Sequence, residues 1–195
     1  KLAIGPSIDN GFYYDLLAPF SFTPENLTEI EAEMRKICKE KLKLERFELP
    51  RAEAIAFMQE KDEPYKVELI GLKGNSAEAA EGASAEVGAG ELTIYDNINR
   101  KGEVAWKDLC RGPALPTTTR IPAFKIMRSA AAYWRGDQRN AQLQRVYGTS
   151  WPTRDDLKAY KFRLEEAAKR DHRKLGTELD LFSFPDEIGS GLPVF

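Results

Sequence analysis

In the first half of the chain, the hydrophobic residues after position 23 have helix-like spacing. After Thr23 and Pro24, apolar residues recur every three or four positions, which predicts a helix with one buried face. Thr23 suits the N-cap, and Pro24 suits the first helical position, where its missing amide hydrogen does no harm. Acids precede bases along this stretch, so we interpret its charged side as a solvated face that complements the helix dipole. The apolar positions are Leu27, Ile30, Met34 and Ile37.

The remaining pattern predicts alternating strands and helices. Residues 45–49 alternate like a strand, and residues 51–59 have the spacing of a short helix. Thr153 and Asp156 have the form of a capping box for the longest helix, which we expect to end at Gly176. The order indicates an α+β fold, a mixed or antiparallel sheet packed with helices plus a long C-terminal linker helix. Strands are also predicted at 92–95, 104–110 (a hairpin around 97–102), 121–128, 131–134 and 142–147.

Composition and charge narrow the class of protein. A chain of 195 residues with 42% hydrophobic residues is long enough to bury a core. No apolar run approaches the roughly 18 residues that span a bilayer, so we expect a cytoplasmic protein without a membrane partner. Two cysteines and one histidine are too few for a disulfide framework or a zinc finger, which predicts no metal site and no cofactor here. A net charge of -2 argues against general nucleic-acid affinity and allows only a local basic face.

Residues 71–90 interrupt the hydrophobic pattern, because Gly, Ala, Ser and Glu dominate them and offer little to bury. We expect a flexible insertion there, within a domain over 1–150, followed by a linker helix over 151–176 and a further segment over 177–195. The bases of the long helix suit either contact with nucleic-acid phosphates or a solvated linker. The chain opens with Lys1 almost directly on a motif, so we expect an excised piece of a longer protein.

The candidate chemistry lies on the predicted strand at 104–110. If this strand is extended, Trp106, Asp108 and Cys110 share one face. Gly112 and Pro113 then end the strand, so Cys110 sits at a strand end, where site residues are common. From the residue alone, a buried and inert core thiol is the better interpretation of Cys110.

Several motifs then point to one family. They closely resemble, in order and spacing, the editing domain of bacterial threonyl-tRNA synthetase, and the resemblance covers the chain apart from about 71–90. The resemblance implies hydrolysis of serine wrongly attached to threonine tRNA. It also implies an upstream helix with an HxxxH pair, which these residues do not contain. The motifs are AIGP (3–6), GFYYD (11–15), DLCRGP (108–113), AAYWRGD (131–137), LQRVYGT (143–149), RDHRKLG (170–176) and LFSF (181–184).

The resemblance also assigns residues and partners. It implies catalytic positions at Cys110, Asp108 and Lys66, although Lys66 alone would suggest an ordinary surface lysine. We predict that Asp108 and Cys110 point into one cleft, bordered by Lys66 and by an aromatic residue of 12–14. The resemblance implies binding of the tRNA(Thr) 3′ end and acceptor stem, and a parent homodimer that uses ATP, Mg and Zn in a separate class II catalytic domain. Residues 177–195 would then be the entry to that domain. The substrate-binding positions that the resemblance implies are Tyr13, Tyr14, Arg111 and Ala114.

One departure from the family pattern bears on activity. The family's CxxxH motif has alanine here, at Ala114, so of the four expected His and Cys positions only Cys110 is present. Imidazole is the side chain best suited to move a proton near neutral pH, and we therefore expect impaired hydrolysis. Two alternatives stay open: a non-catalytic module that binds the tRNA acceptor stem, and a hydrolase with Cys110 as nucleophile.

Overall fold

The computed structural model describes residues 1–72, 92–189 and 191–195. These residues separate into two units, Lys1–Pro152 and Thr153–Phe195. Among them, the larger unit contains two antiparallel sheets with three α-helices, which confirms the α+β class. Its helices are α1 (Pro24–Glu40), α2 (Arg51–Glu60) and α3 (Pro64–Leu72). Its strands are β1 (Ser7–Ile8), β2 (Gly11–Leu16), β3 (Lys43–Leu49), β4 (Leu92–Ile98), β5 (Val104–Leu109), β6 (Ala123–Tyr133) and β7 (Gln142–Trp151).

The four-stranded sheet has the order β1-β2-β7-β6 and joins the two ends of the larger unit. Strand β6 is one continuous strand where the pattern predicted two, at 121–128 and 131–134. The small residues at 129–132 give no hydrophobic signal, but an extended backbone accommodates them. The register shifts between Ile126 and Arg128, so the extra residue Met127 forms an irregularity of the bulge type.

The three-stranded sheet has the order β3-β4-β5, and the predicted hairpin is confirmed as β4–β5. Helices α2 and α3 contribute Met58 and Ile70 to a buried cluster with Ile94 and Leu109, which are cross-strand partners. This cluster is the core on which the strand that carries Asp108 rests. Of the predicted insertion over 71–90, the first two residues complete α3, and residues 73–90 lie outside the described part of the chain.

Helix α1 begins as predicted, since the Thr23 side chain accepts a hydrogen bond from the backbone amide of Asn26 (3.4 Å). The prediction of a fully solvated charged side is wrong for Glu31, which is buried against β6. One carboxylate oxygen of Glu31 accepts from Arg35 (2.8 Å), and the other accepts from Lys125 (2.8 Å). A pattern along one helix cannot reveal a partner that lies 94 residues away.

The second unit contains α4 (Arg154–Lys169) and α5 (His172–Glu178). The long C-terminal helix is confirmed as α4, with Thr153 as its N-cap. The prediction that Gly176 ends it is wrong. Asp171 accepts a hydrogen bond from the Arg173 amide (3.0 Å) and so begins a new helix, in which Gly176 is buried. A Cβ at Gly176 would overlap the Phe182 ring, so packing explains this glycine better than helix termination does.

Candidate functional site

Cys110 follows directly after β5 and lies at a strand end, as predicted. Its amide donates to the Thr93 carbonyl (3.1 Å), and the Thr93 hydroxyl donates to the Cys110 carbonyl. The Cys110 sulfur accepts from the Gly112 amide (3.4 Å). These contacts fix the backbone of the cysteine to β4 and direct the chain into the following turn. Cys110 is partly exposed, so it is not one of the fully buried core residues.

The turn after Cys110 is held by Tyr95, a residue that the sequence reasoning missed. Gly112 has φ of +70°, a conformation that favours glycine, and a Cβ there would overlap the Tyr95 hydroxyl. That hydroxyl accepts a hydrogen bond from the Ala114 amide (3.3 Å). Tyr95 is the cross-strand partner of Asp108, so the register of the predicted hairpin was the signal that could have identified it.

Lys66 on α3 is the central side chain of the site. It has no solvent exposure, so its ammonium needs polar partners inside the protein. Its Nζ donates to Asp108 Oδ2 (3.0 Å) and to the Tyr14 hydroxyl (3.2 Å). The three residues come from α3, β5 and β2, so the contact links the two sheets. The alternative of an ordinary surface lysine is therefore wrong.

Asp108 is partly exposed, as Tyr14 is, and it supplies the charged group of this cluster that can reach a ligand. Its side chain keeps 24% exposure while Lys66 has 0%. Its second oxygen, Oδ1, accepts from the Leu109 amide (2.8 Å), which fixes the carboxylate orientation. A fixed and partly exposed carboxylate suits recognition of an ammonium or a sugar hydroxyl.

The Tyr13 side chain packs against the core cluster and contacts two residues of β7. The Arg145 guanidinium lies over the Tyr13 ring (3.9 Å to the centroid) and binds Asp15 through two hydrogen bonds (2.7 and 2.8 Å). Hydrogen bonding to Asp15 raises the pKa of Arg145 further above its ordinary value, although burial opposes this. Tyr147, the cross-strand partner of Tyr13, has its ring 6.0 Å away. Sequence reasoning missed this cluster, because its members are far apart in the chain.

The structure thus brings together three of the predicted site residues, Tyr14, Lys66 and Asp108. Ala114 joins them indirectly through Tyr95, which pairs with Asp108. Arg111 is exposed on the turn. That Cys110 shares a cleft with Lys66 stays a prediction.

Comparison with known proteins shows which domain and which enzymes this chain resembles. A model of the threonyl and alanyl tRNA synthetase second additional domain matches residues 92–147, which run from β4 into β7 and include Asp108 and Cys110. The whole chain is 63% identical over 201 residues to a threonine-tRNA ligase of Nocardioides sp. (strain ATCC BAA-499 / JS614). It is 64% identical over 196 residues to that of Thermobifida fusca (strain YX). Over its whole length the chain is therefore similar to part of these threonine-tRNA ligases. It spans 30% and 29% of the length of these two relatives.

Residues 92–147, which match the second additional domain, contain no histidine, because the single histidine of the chain is His172 on α5. Within the described residues, no group of three or more His, Cys, Asp or Glu side chains could hold a metal ion. No described helix is long and apolar enough to cross a membrane. The site offers the ammonium of Lys66, the carboxylate of Asp108, the hydroxyl groups of Tyr14 and Tyr95 and the thiol of Cys110.

Proposed function

We propose that the unit Lys1–Pro152 is the editing domain of a threonine-tRNA ligase and acts on serine esterified to the 3′ end of tRNA(Thr). The observation that carries this proposal is the fully buried Lys66 ammonium, bound to Tyr14 and to the partly exposed Asp108. A domain that needed only a stable core could have an apolar side chain at position 66, because apolar replacements of buried ion pairs are often neutral or stabilising. The cost of this ammonium is better explained by a ligand.

An aminoacyl ester already has a fair leaving group, so the domain mainly needs to orient the ester and a water molecule. We assign Asp108 to the substrate, where its carboxylate accepts hydrogen bonds from the seryl ammonium or from a ribose hydroxyl. Lys66 positions Asp108 and Tyr14. The turn that carries Cys110, Arg111 and Ala114 borders the ester.

Proton transfer is the part of the reaction for which the chain lacks its usual group. Position 114 is alanine, and imidazole is the side chain best placed to activate water near pH 7. Loss of one positioned acid or base typically costs about 100- to 10,000-fold. We therefore propose that the 195 residues bind the aminoacyl end of the tRNA but hydrolyse it barely above the uncatalysed rate.

The test is release of labelled serine from Ser-tRNA(Thr), with Thr-tRNA(Thr) as the substrate control. The unmodified chain is compared with Ala114→His, with the chain fused to an N-terminal helix that carries an HxxxH pair, and with both changes together. We expect recovery in the doubly changed protein and little in either single change, because groups that act as a unit are not additive. Robust hydrolysis by the unmodified chain, or none by the doubly changed protein, would contradict the assignment.

The alternative is a module that binds the acceptor stem without turnover, and the lack of histidine in Lys1–Pro152 favours it. Persistent RNA affinity with no hydrolysis in the doubly changed protein would support it. A Cys110 nucleophile would instead leave a seryl thioester, which mass spectrometry of the quenched reaction detects. For the whole ligase we propose a cytoplasmic homodimer that uses ATP, Mg and Zn in its catalytic domain.

A further inference from the structure

The tip of the β4–β5 hairpin lies beside the C-terminal end of α1, and the two segments line an open cleft of about 600 Å³. Sheet register explains this position, because Lys43 at the start of β3 pairs with Ile98 at the end of β4. The sequence pattern could not join these segments, which lie 60 residues apart (Lys39 to Asn99). The cleft is lined by Lys36, Lys39, Glu40, Asn99, Arg100 and Lys101.

The hairpin tip holds its two bases on a fixed backbone. The Asn99 side-chain oxygen accepts from the amides of Lys101 (2.9 Å) and Glu103 (3.0 Å). The Gly102 amide donates to the Asn99 carbonyl (3.0 Å), and Gly102 has φ of +83°. A turn tied in this way presents Arg100 and Lys101 with little backbone entropy left to lose on binding.

The charge of the cleft is only partly balanced. Lys36 pairs with Glu33 (2.7 Å), and Glu40 is the acid among the lining residues. In the described part of the chain, no carboxylate lies within salt-bridge distance of the other three bases, Lys39, Arg100 and Lys101. The helix dipole accounts for a base at the end of α1, but it does not account for two more on a hairpin. Clustered like charges of this kind favour an anionic ligand.

We propose that this cleft binds the phosphate backbone of the RNA whose 3′ end enters the Lys66 site, an inference that rests on the proposed function. Asp108 lies four residues along β5 from Val104, where the strand meets the hairpin. At about 3.4 Å per residue this is roughly 14 Å, so the cleft and the site lie towards different ends of one sheet. A polyanion spans that separation, whereas a small anion does not. A local cleft also reconciles RNA binding with a net charge of -2.

The experiment measures fluorescence anisotropy of a labelled RNA hairpin with a single-stranded 3′ end, titrated with the 195-residue chain across a range of KCl concentrations. The test variant combines Lys39→Gln, Arg100→Gln and Lys101→Gln. A matched variant removes three exposed bases of the larger unit that do not line the cleft, by Arg46→Gln, Arg120→Gln and Arg139→Gln. Circular dichroism melts verify that both variants fold, since all six positions are exposed.

We expect the cleft variant to bind the RNA on the order of 10-fold more weakly. Its plot of log association constant against log KCl concentration should be flatter by about two to three units. The matched variant should retain both the affinity and the salt slope, and Glu40→Gln should bind the RNA more tightly. Unchanged affinity in the cleft variant, or equal loss in the two triple variants, would overturn the inference. RNA binding that depends on the cleft supports this inference even if no variant releases serine. The RNA-binding inference and the proposed hydrolysis are therefore tested separately.

Discussion

The Lys66–Asp108 pair predicts an unequal response to removal of its two members. Lys66 has 0% exposure, whereas the Asp108 side chain is 24% exposed. Asp108→Asn leaves a buried ammonium without its carboxylate, which is the costly case. Lys66→Met leaves a carboxylate that water can reach, and the methionine side chain refills most of the volume of the lysine stem.

The magnitudes follow from this difference in burial. Removing the partner of a buried charge costs about 3–5 kcal/mol, which we expect for Asp108→Asn. For Lys66→Met we expect about 1–2 kcal/mol, because the loss is limited to hydrogen bonds whose acceptors can be rehydrated or partly satisfied. The stability of the double variant should lie close to that of Lys66→Met, since the buried ammonium is no longer present.

Urea denaturation followed by circular dichroism measures these losses as midpoints at constant m-value. Glu45→Gln is the control, because it breaks the exposed Lys43–Glu45 pair and should leave stability unchanged within error. A larger loss of stability for Lys66→Met than for Asp108→Asn would refute the reasoning. So would a double variant that is less stable than Asp108→Asn.

Two further predictions concern pH and the turn. Although burial opposes it, hydrogen bonds from Lys125 and Arg35 hold the pKa of Glu31 below its ordinary 4.5. The contribution of Glu31 to stability is therefore present above pH 4.5 and is lost as the pH falls through its lowered pKa in the folded state. Glu31→Gln should lower the denaturation midpoint at pH 7. In acid, the midpoints of the variant and the wild type should converge. Gly112→Ala places alanine at φ of +70° with its Cβ against Tyr95. We expect thermal melts to show a loss of about 1–3 kcal/mol in the free energy of unfolding. An unchanged melting temperature would count against the described turn.

The sequence predicted those parts of the fold that local patterns determine. The cap at Thr23 and the β4–β5 hairpin both follow from residues close in the chain, and both are confirmed. The strand end at Cys110 is of the same kind, because Gly112 and Pro113 interrupt the strand locally.

The parts that escaped prediction depend on contacts between distant residues. Glu31 is buried because β6 supplies Lys125, and nothing near Glu31 in the sequence indicates this. The family resemblance indicated Lys66, but its burial depends on β2 and β5 together. Tyr95 is different, because its pairing with Asp108 lies on the predicted hairpin and only the exact register was missing.

The most direct test of the central claim is binding of the aminoacyl end itself, which needs no histidine. Isothermal titration calorimetry with a non-hydrolysable amide analogue of 3′-seryl adenosine measures it, with adenosine as the ligand control. Each variant is titrated at a temperature where circular dichroism shows it folded. We predict that the wild type binds the analogue more tightly than adenosine, and that Asp108→Asn weakens analogue binding at least about 10-fold, or about 1.4 kcal/mol. The exposed control Asp9→Asn should leave it unchanged. Equal affinity of the wild type and the Asp108→Asn variant for the analogue would contradict the account.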